Sequence, residues 1–343
     1  MQYVIIDKNN IGSFIEDNIV LICKMRPSRI KCKQLAVIEI MSLLNSFAPL
    51  FITNGPLGDV KGCITISLSK TKFIKERVVN LLCHSGYTFC FYCADFDNPE
   101  LKSDSGIVSI NPFVWKGKKF SVTKLYEEPD ETFREQAPDK RVFKLVCDDG
   151  VIRRIKGYRG DGSEMGRRAL PVEDCRLLTN IVVREDTKTF LDPFCGSGGI
   201  IFQAHMRNCI EQLYSVDIAK ELAPGLEEYG AKHFIGTASN FTPDRPIDAV
   251  ATEVPFSNSA IEAICEGFYN IKKYLSSDCV IVIMYAISQK IHIESKLKEM
   301  GYHISLSLPI DRKGTLVQIS ICYGSESKRV EFLNLWERLR FLS

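Results

Sequence analysis

The stretch LDPFCGSGG, Leu191 to Gly199, decides the fold. The run KTFLDPF before it predicts a strand. The run IIFQAHMRN after it predicts a helix, with three glycines in the turn between them. In an open α/β sheet that junction is the ligand crevice. Gly196 and Gly198 let the backbone turn tightly and let a ligand approach where a Cβ would block it. Asp192, at the strand end, is suited to accept from the charged amino group of an amino-acid moiety. Two rival glycine loops fail on residues. A P-loop needs a lysine after its last glycine, and none follows here. A dinucleotide fingerprint needs a third Gly or Ala where this chain has Ile201.

Outward from this turn the pattern alternates. QLYSVDI, KHFIGTA, IDAVATEV, DCVIVIMYAI, YHISLSLPI and LVQISICYG read as strands. Between them, AKELAPGLEEYGA reads as a helical stretch interrupted by Pro224, and NSAIEAICEGFYNIKKYLS and SQKIHIESKLKEMG read as helices. Strands alternating with helices imply parallel βαβ units. The last two strands flank DRKGT, too short for a crossover helix, so they should pair antiparallel. The expected fold is α/β, a Rossmann-like parallel sheet closed by an antiparallel strand. That arrangement is the one of the methyltransferase fold.

The turn resembles the first motif, D-P-x-C-G-S-G, of class I S-adenosylmethionine (SAM)-dependent methyltransferases that modify exocyclic amino groups of nucleic acids. These include the THUMP-containing guanine-N2 enzymes of tRNA and rRNA. The resemblance runs over roughly residues 166 to 323. It implies that Asp192, Phe194, Cys195, Gly196, Ser197 and Gly198 hold SAM. An acidic residue ending the second strand suits a ribose diol, and the resemblance gives Asp217, with Ile218, that role. At GTASNF the family has G-D-A, whose Asp contacts the adenine amino group. Here Thr237 stands in its place, so Thr237 and Ala238 are the expected adenine wall.

The fourth strand ends in Glu253-Val254-Pro255-Phe256, where the amino-methylating enzymes carry [N/D]-P-P-[Y/F]. Positions one and two depart from the pattern, and three and four match. An exocyclic amine is a poor nucleophile because its lone pair is delocalised into the ring. The site must accept from both N–H groups and turn that lone pair toward the methyl donor, a gain of orientation. Glu253 supplies an acceptor one methylene longer than Asp. Phe256 supplies a stacking face. Glu253, Pro255 and Phe256 are the candidate catalytic residues. The expected reaction is methylation of an exocyclic amino group in RNA, foremost guanosine N2 in tRNA. Adenine N6, a protein amide, or a retired methyltransferase serving as an RNA-binding scaffold remain alternatives.

The remaining sequence sets the context. Net charge is +2 on 343 residues, with 45% hydrophobic and 25% charged residues, as in ordinary globular proteins. An RNA partner must therefore meet a local patch. Arg153, Arg154, Lys156, Arg159, Arg167 and Arg168 form the candidate RNA-binding stretch. Glu173 to Val182 reads as a helix. We expect three regions: 1–110, an α+β domain in the position of a THUMP module; 111–165, a connecting region with one hairpin; and 166–343, the methyltransferase domain. Before residue 110, helices are expected in LAVIEIMSLLNSF and KTKFIKERVVNLLCHSGY and strands in GCITISLS and YTFCFYCADF. VFKLVCDDGVIRRIKGY should form two short strands. Cys83, His84, Cys90 and Cys93 offer zinc donors, but in a strand Cys90 and Cys93 point to opposite faces, so no metal is expected. No apolar run reaches the roughly 20 residues of a membrane span, and no signal peptide is read at the start. The expected location is cytoplasmic. No motif names a helper subunit.

Overall fold

The computed structural model describes residues 3–7, 17–54, 62–94, 113–115, 118–120, 122–136, 142–146, 149–156, 169–312 and 315–324. The chain forms two compact units, 1–130 with 335–343, and 131–334.

In the first unit, strands β1 (Tyr3–Asp7), β2 (Asn18–Met25), β3 (Leu50–Asn54), β4 (Cys63–Ser69) and β5 (Thr88–Ala94) precede a small hairpin, β6 (Phe113–Trp115) and β7 (Lys118–Phe120). With β8 (Val122–Glu127) they form a six-stranded sheet in the order β1-β3-β4-β2-β5-β8, from which the hairpin stays separate. Helices α1 (Lys33–Leu43) and α2 (Lys75–Leu82) belong to the same unit. The region read as a connector thus contributes a full strand, β8, paired antiparallel with β5. β2 was not anticipated either. NIVLICKM is buried almost throughout because β4 and β5 flank it, so it lacks the alternation of a half-exposed strand. The expected second helix shortens to α2, after a single tight turn at Lys70–Lys72. Cys90 and Cys93 are both buried in β5. No group of three or more His, Cys, Asp or Glu among the described residues is placed to hold a metal ion.

The second unit opens with α3 (Asp130–Glu135) and the antiparallel pair β9 (Val142–Val146) and β10 (Ile152–Lys156). After α4 (Val172–Val182) come β11 (Thr189–Asp192), α5 (Gly199–His205), β12 (Gln212–Asp217), α6 (Ala223–Glu228), β13 (Ala231–Ile235), β14 (Ile247–Glu253), α7 (Ile261–Ile271), β15 (Leu275–Ala286), α8 (Lys290–Glu299), β16 (His303–Arg312) and β17 (Thr315–Tyr323). Their sheet runs β13-β12-β11-β14-β15-β17-β16. Neighbours from β13 to β15 are parallel, and β17 runs antiparallel to both β15 and β16. Counted within this sheet the order is 3-2-1-4-5-7-6 with strand 7 reversed, the class I methyltransferase topology.

Its central strands are buried on both faces, as a helix-covered parallel sheet requires. On α7, Ile264, Phe268 and Ile271 recur at helical spacing and face the sheet. With Ile293 and Leu297 of α8 they join Leu191, Val250, Ile281 and Ile283 in one core. Each such side chain contributes about 1.5–3 kcal/mol relative to exposure. Pro224 does not interrupt a helix. It lies in the first turn of α6, where its missing N–H has no partner to lose. No helix among the described residues is long and apolar enough to cross a membrane.

Candidate active site

The carboxyl ends of β11, β12, β13 and β14 converge on a cavity of about 540 Å³. Of the residues singled out for it, all but Gly198 line it, from Asp192 in the first turn to Phe256 after the fourth strand. Gly198 builds the turn instead. It adopts φ +76° at the start of α5, and a Cβ there would lie 2.6 Å from Leu226 Cδ2. Only glycine satisfies both the left-handed conformation and that contact.

Asp192 is fully buried at the end of β11. Its Oδ1 accepts from the Thr252 hydroxyl at 2.7 Å and from the Phe194 N–H at 3.3 Å. Burial pushes its pKa up to about 7 against the pull of those two bonds, and the charges of Asp217 and Glu253 add to the rise. The Asp217 carboxylate accepts from the Gly196 N–H and the Ala219 N–H, both at 2.9 Å. This ties the glycine turn to the end of β12. Burial holds the Cys195 thiol protonated, with no nucleophilic character.

Three carboxylates, Asp192, Asp217 and Glu253, thus face one cavity, with no Lys or Arg in its lining among the described residues. The walls between them are apolar, with Leu170, Ile200, Val216 and Ile218 among the lining. Such a site favours a ligand with positive charge and apolar surface and disfavours a phosphate-bearing one. Glu253 and Phe256 are half-buried at the end of β14 and in the loop after it. Thr237 donates to or accepts from Ser239 at 2.8 Å in the loop after β13.

Sequence reasoning missed Thr252 and Gly267. Thr252 looked like one more polar position in a strand, and its role appears only when β14 lies beside β11. At Gly267 of α7 a Cβ would come within 2.8 Å of Ala238 Cβ and 3.3 Å of Phe194 Cζ, so the helix closes on two pocket walls because it has no side chain there. Of the basic stretch, Arg153 and Arg154 are exposed on β10 and Lys156 ends that strand, while Arg159, Arg167 and Arg168 lie outside the described residues.

Sheet order and glycine turn together give this unit the class I methyltransferase fold. No protein-family model matches the chain. A curated relative, the tRNA (guanine(10)-N2)-dimethyltransferase of Pyrococcus abyssi (strain GE5 / Orsay), is 29% identical over 139 residues, covering 34% of this chain and 41% of that protein. The match spans less than half the length of that relative. Among solved structures, TrmN from Thermus thermophilus aligns over 89% of this chain and 99% of its own with a TM-score of 0.48 and 11% identity. The putative RNA methyltransferase PH1948 from Pyrococcus horikoshii aligns over 49% of this chain and 92% of its own with a TM-score of 0.36 and 18% identity.

Proposed function

We propose that this chain is a SAM-dependent methyltransferase acting on the exocyclic amino group of a base in RNA, foremost guanosine N2 in tRNA. The observation that carries the reading is the pocket itself. Three carboxylates and an apolar wall surround a glycine turn at the carboxyl end of a methyltransferase sheet. The matched stretch of the Pyrococcus abyssi tRNA guanine-N2 enzyme supports the substrate class.

The residues fit SAM, which is cationic at sulfur and at its amino group. Bound there, it supplies an electrophilic methyl group on a sulfonium. Asp192 accepts from the amino group and Asp217 from the ribose hydroxyls, each oxygen of Asp217 keeping a second lone pair beside its backbone bond. Ile218, a large apolar side chain 73% exposed at the cavity, gives adenine a face. Ala238 and the Thr237 hydroxyl form the opposite wall. Phe194, Cys195, Gly196 and Ser197 shape the turn around the cofactor.

The target base stacks on Phe256. Glu253 accepts from its amino group and turns the nitrogen lone pair toward the methyl. Pro255 stiffens the loop between them. A base in a duplex must leave its stack to enter. Arg153 and Arg154 stand exposed on β10 beside Ile152, with Val151 exposed just before the strand. Through β9 this ribbon abuts α6, where Lys144 pairs with Glu228 at 2.9 Å. We assign Arg153, Arg154 and Lys156 of this ribbon, with Arg159, Arg167 and Arg168 further along the sequence, to backbone phosphates, and the first unit to RNA binding in the manner of a THUMP module.

Incubation with methyl-labelled SAM and unmodified tRNA should label the RNA. RNase should remove the label and DNase should not. Labelling that survives RNase would move the acceptor to protein, and no transfer to any RNA would leave a binding scaffold.

A further inference from the structure

Two buried carboxamides outside the cavity each tie down one of its walls. Gln289, fully buried in the turn between β15 and α8, donates through Nε2 to the carbonyls of Pro255 and Ser257, both at 2.9 Å. Its Oε1 accepts from the Ala286 N–H at 3.0 Å. Asn270 of α7, 8% exposed, donates through Nδ2 to the carbonyls of Ala238 at 3.0 Å and Phe241 at 2.7 Å. Only a carboxamide offers two N–H donors and an acceptor on one short planar group. The Pro255 and Ser257 carbonyls bracket the pocket residue Phe256, and the Ala238 carbonyl belongs to a pocket residue itself, next to Thr237.

We propose that Gln289 is a positioning residue for the acceptor end of the pocket, fixing Phe256 and the loop after Glu253, and that Asn270 does the same for the adenine end alone. The inference rests on the functional reading above and adds a division of labour to it. Its physical basis is that the segment Val254 to Ser257 belongs to no helix or strand. At its start the Val254 N–H bonds the Met284 carbonyl at 2.9 Å, at its end the Ser257 carbonyl also accepts from the Ala260 N–H at 3.0 Å, and Gln289 joins Pro255 to Ser257. Pro255 and Ser257 are exposed, so water can replace the lost donors. Loss of Gln289 should therefore displace the loop without unfolding the protein.

The test uses the full chain. Gln289→Met keeps length and apolar bulk and removes the amide. Gln289→Glu keeps the acceptor toward Ala286 and leaves at most one donor for the two carbonyls. Both should leave SAM affinity within twofold of wild type. Both should lower kcat/KM for tRNA tenfold or more and speed amide exchange at residues 258–260. Asn270→Ser leaves room for a water and should weaken SAM binding tenfold or more, with transfer largely restored at saturating SAM. Equal loss of SAM affinity in the Gln289 and Asn270 variants would overturn the proposal, as would unchanged exchange and turnover in both Gln289 variants. If wild type transfers no methyl group, the functional reading fails, while exchange and SAM binding still report whether each amide holds its wall.

Discussion

At the scale of single residues, the account turns on Asp192 and Glu253. The folded-state pKa of Asp192 is pushed up to about 7 by burial first, so the ligand-free protein holds this proton more tightly than the unfolded chain does. Its contribution to stability is present below the unfolded value near 3.9 and is lost as pH rises through about 7. A cationic amino group needs the ionised carboxylate. Titration calorimetry should show SAM affinity weakening about tenfold for each pH unit below about 7. Asp192→Asn should bind more weakly and lose that dependence, and Thr252→Val, which removes an opposing bond, should move the midpoint upward. A pH-independent affinity in wild type would separate Asp192 from the cofactor. For Glu253, Glu253→Gln should keep part of the turnover because the amide oxygen still accepts. Glu253→Ala should lower it by a factor on the order of 100 with SAM affinity kept. Phe256→Ala should cost about 1–3 kcal/mol in use of the RNA and little in SAM binding. Single-turnover rates against calorimetric affinities for these variants separate the two roles.

At the scale of elements, packing at glycines sets the shape of the pocket. Gly198→Ala forces a side chain into a left-handed backbone and against Leu226, and should destabilise the fold by about 1–3 kcal/mol in urea titrations. Gly267→Ala pushes α7 away from Ala238 and Phe194 and should weaken SAM binding as well as stability. Wild-type stability in Gly198→Ala would contradict the close approach. The methyltransferase half was legible because its signals are local: apolar runs, punctuating glycines and acidic residues at the ends of β11, β12 and β14. Thus LDPFCGSGG and SVDI point to Asp192 and Asp217, which line one cavity. The first unit was less legible because β2 and β8 owe their strand form to the neighbours they pair with, not to alternation along their own residues. Thr252, Gly267, Asn270 and Gln289 escaped for a related reason. Each acts on a residue 29 or more positions away, through an approach of elements that periodicity does not encode.

At the scale of the whole molecule, a net charge of +2 gives no strong global attraction for RNA, so binding rests on local ribbons of charge. Arg153 also pairs with Asp149 at 2.8 Å, an exposed pair that a phosphate can displace. Replacing Arg153 and Arg154 with Ala should weaken tRNA binding and reduce its logarithmic salt slope by about 1–2. Filter binding from low to physiological salt checks this, and an unchanged slope would make β10 an ordinary solvated edge. The central claim, methyl transfer to a base amine in RNA, is tested most directly by nucleoside analysis of unmodified tRNA after incubation with labelled SAM, for wild type and Glu253→Ala side by side. The account predicts label in an N2-methylated guanosine from wild type and a trace from Glu253→Ala at saturating SAM. Label in a ring-carbon, ring-nitrogen or ribose position, or full labelling by Glu253→Ala, would contradict it.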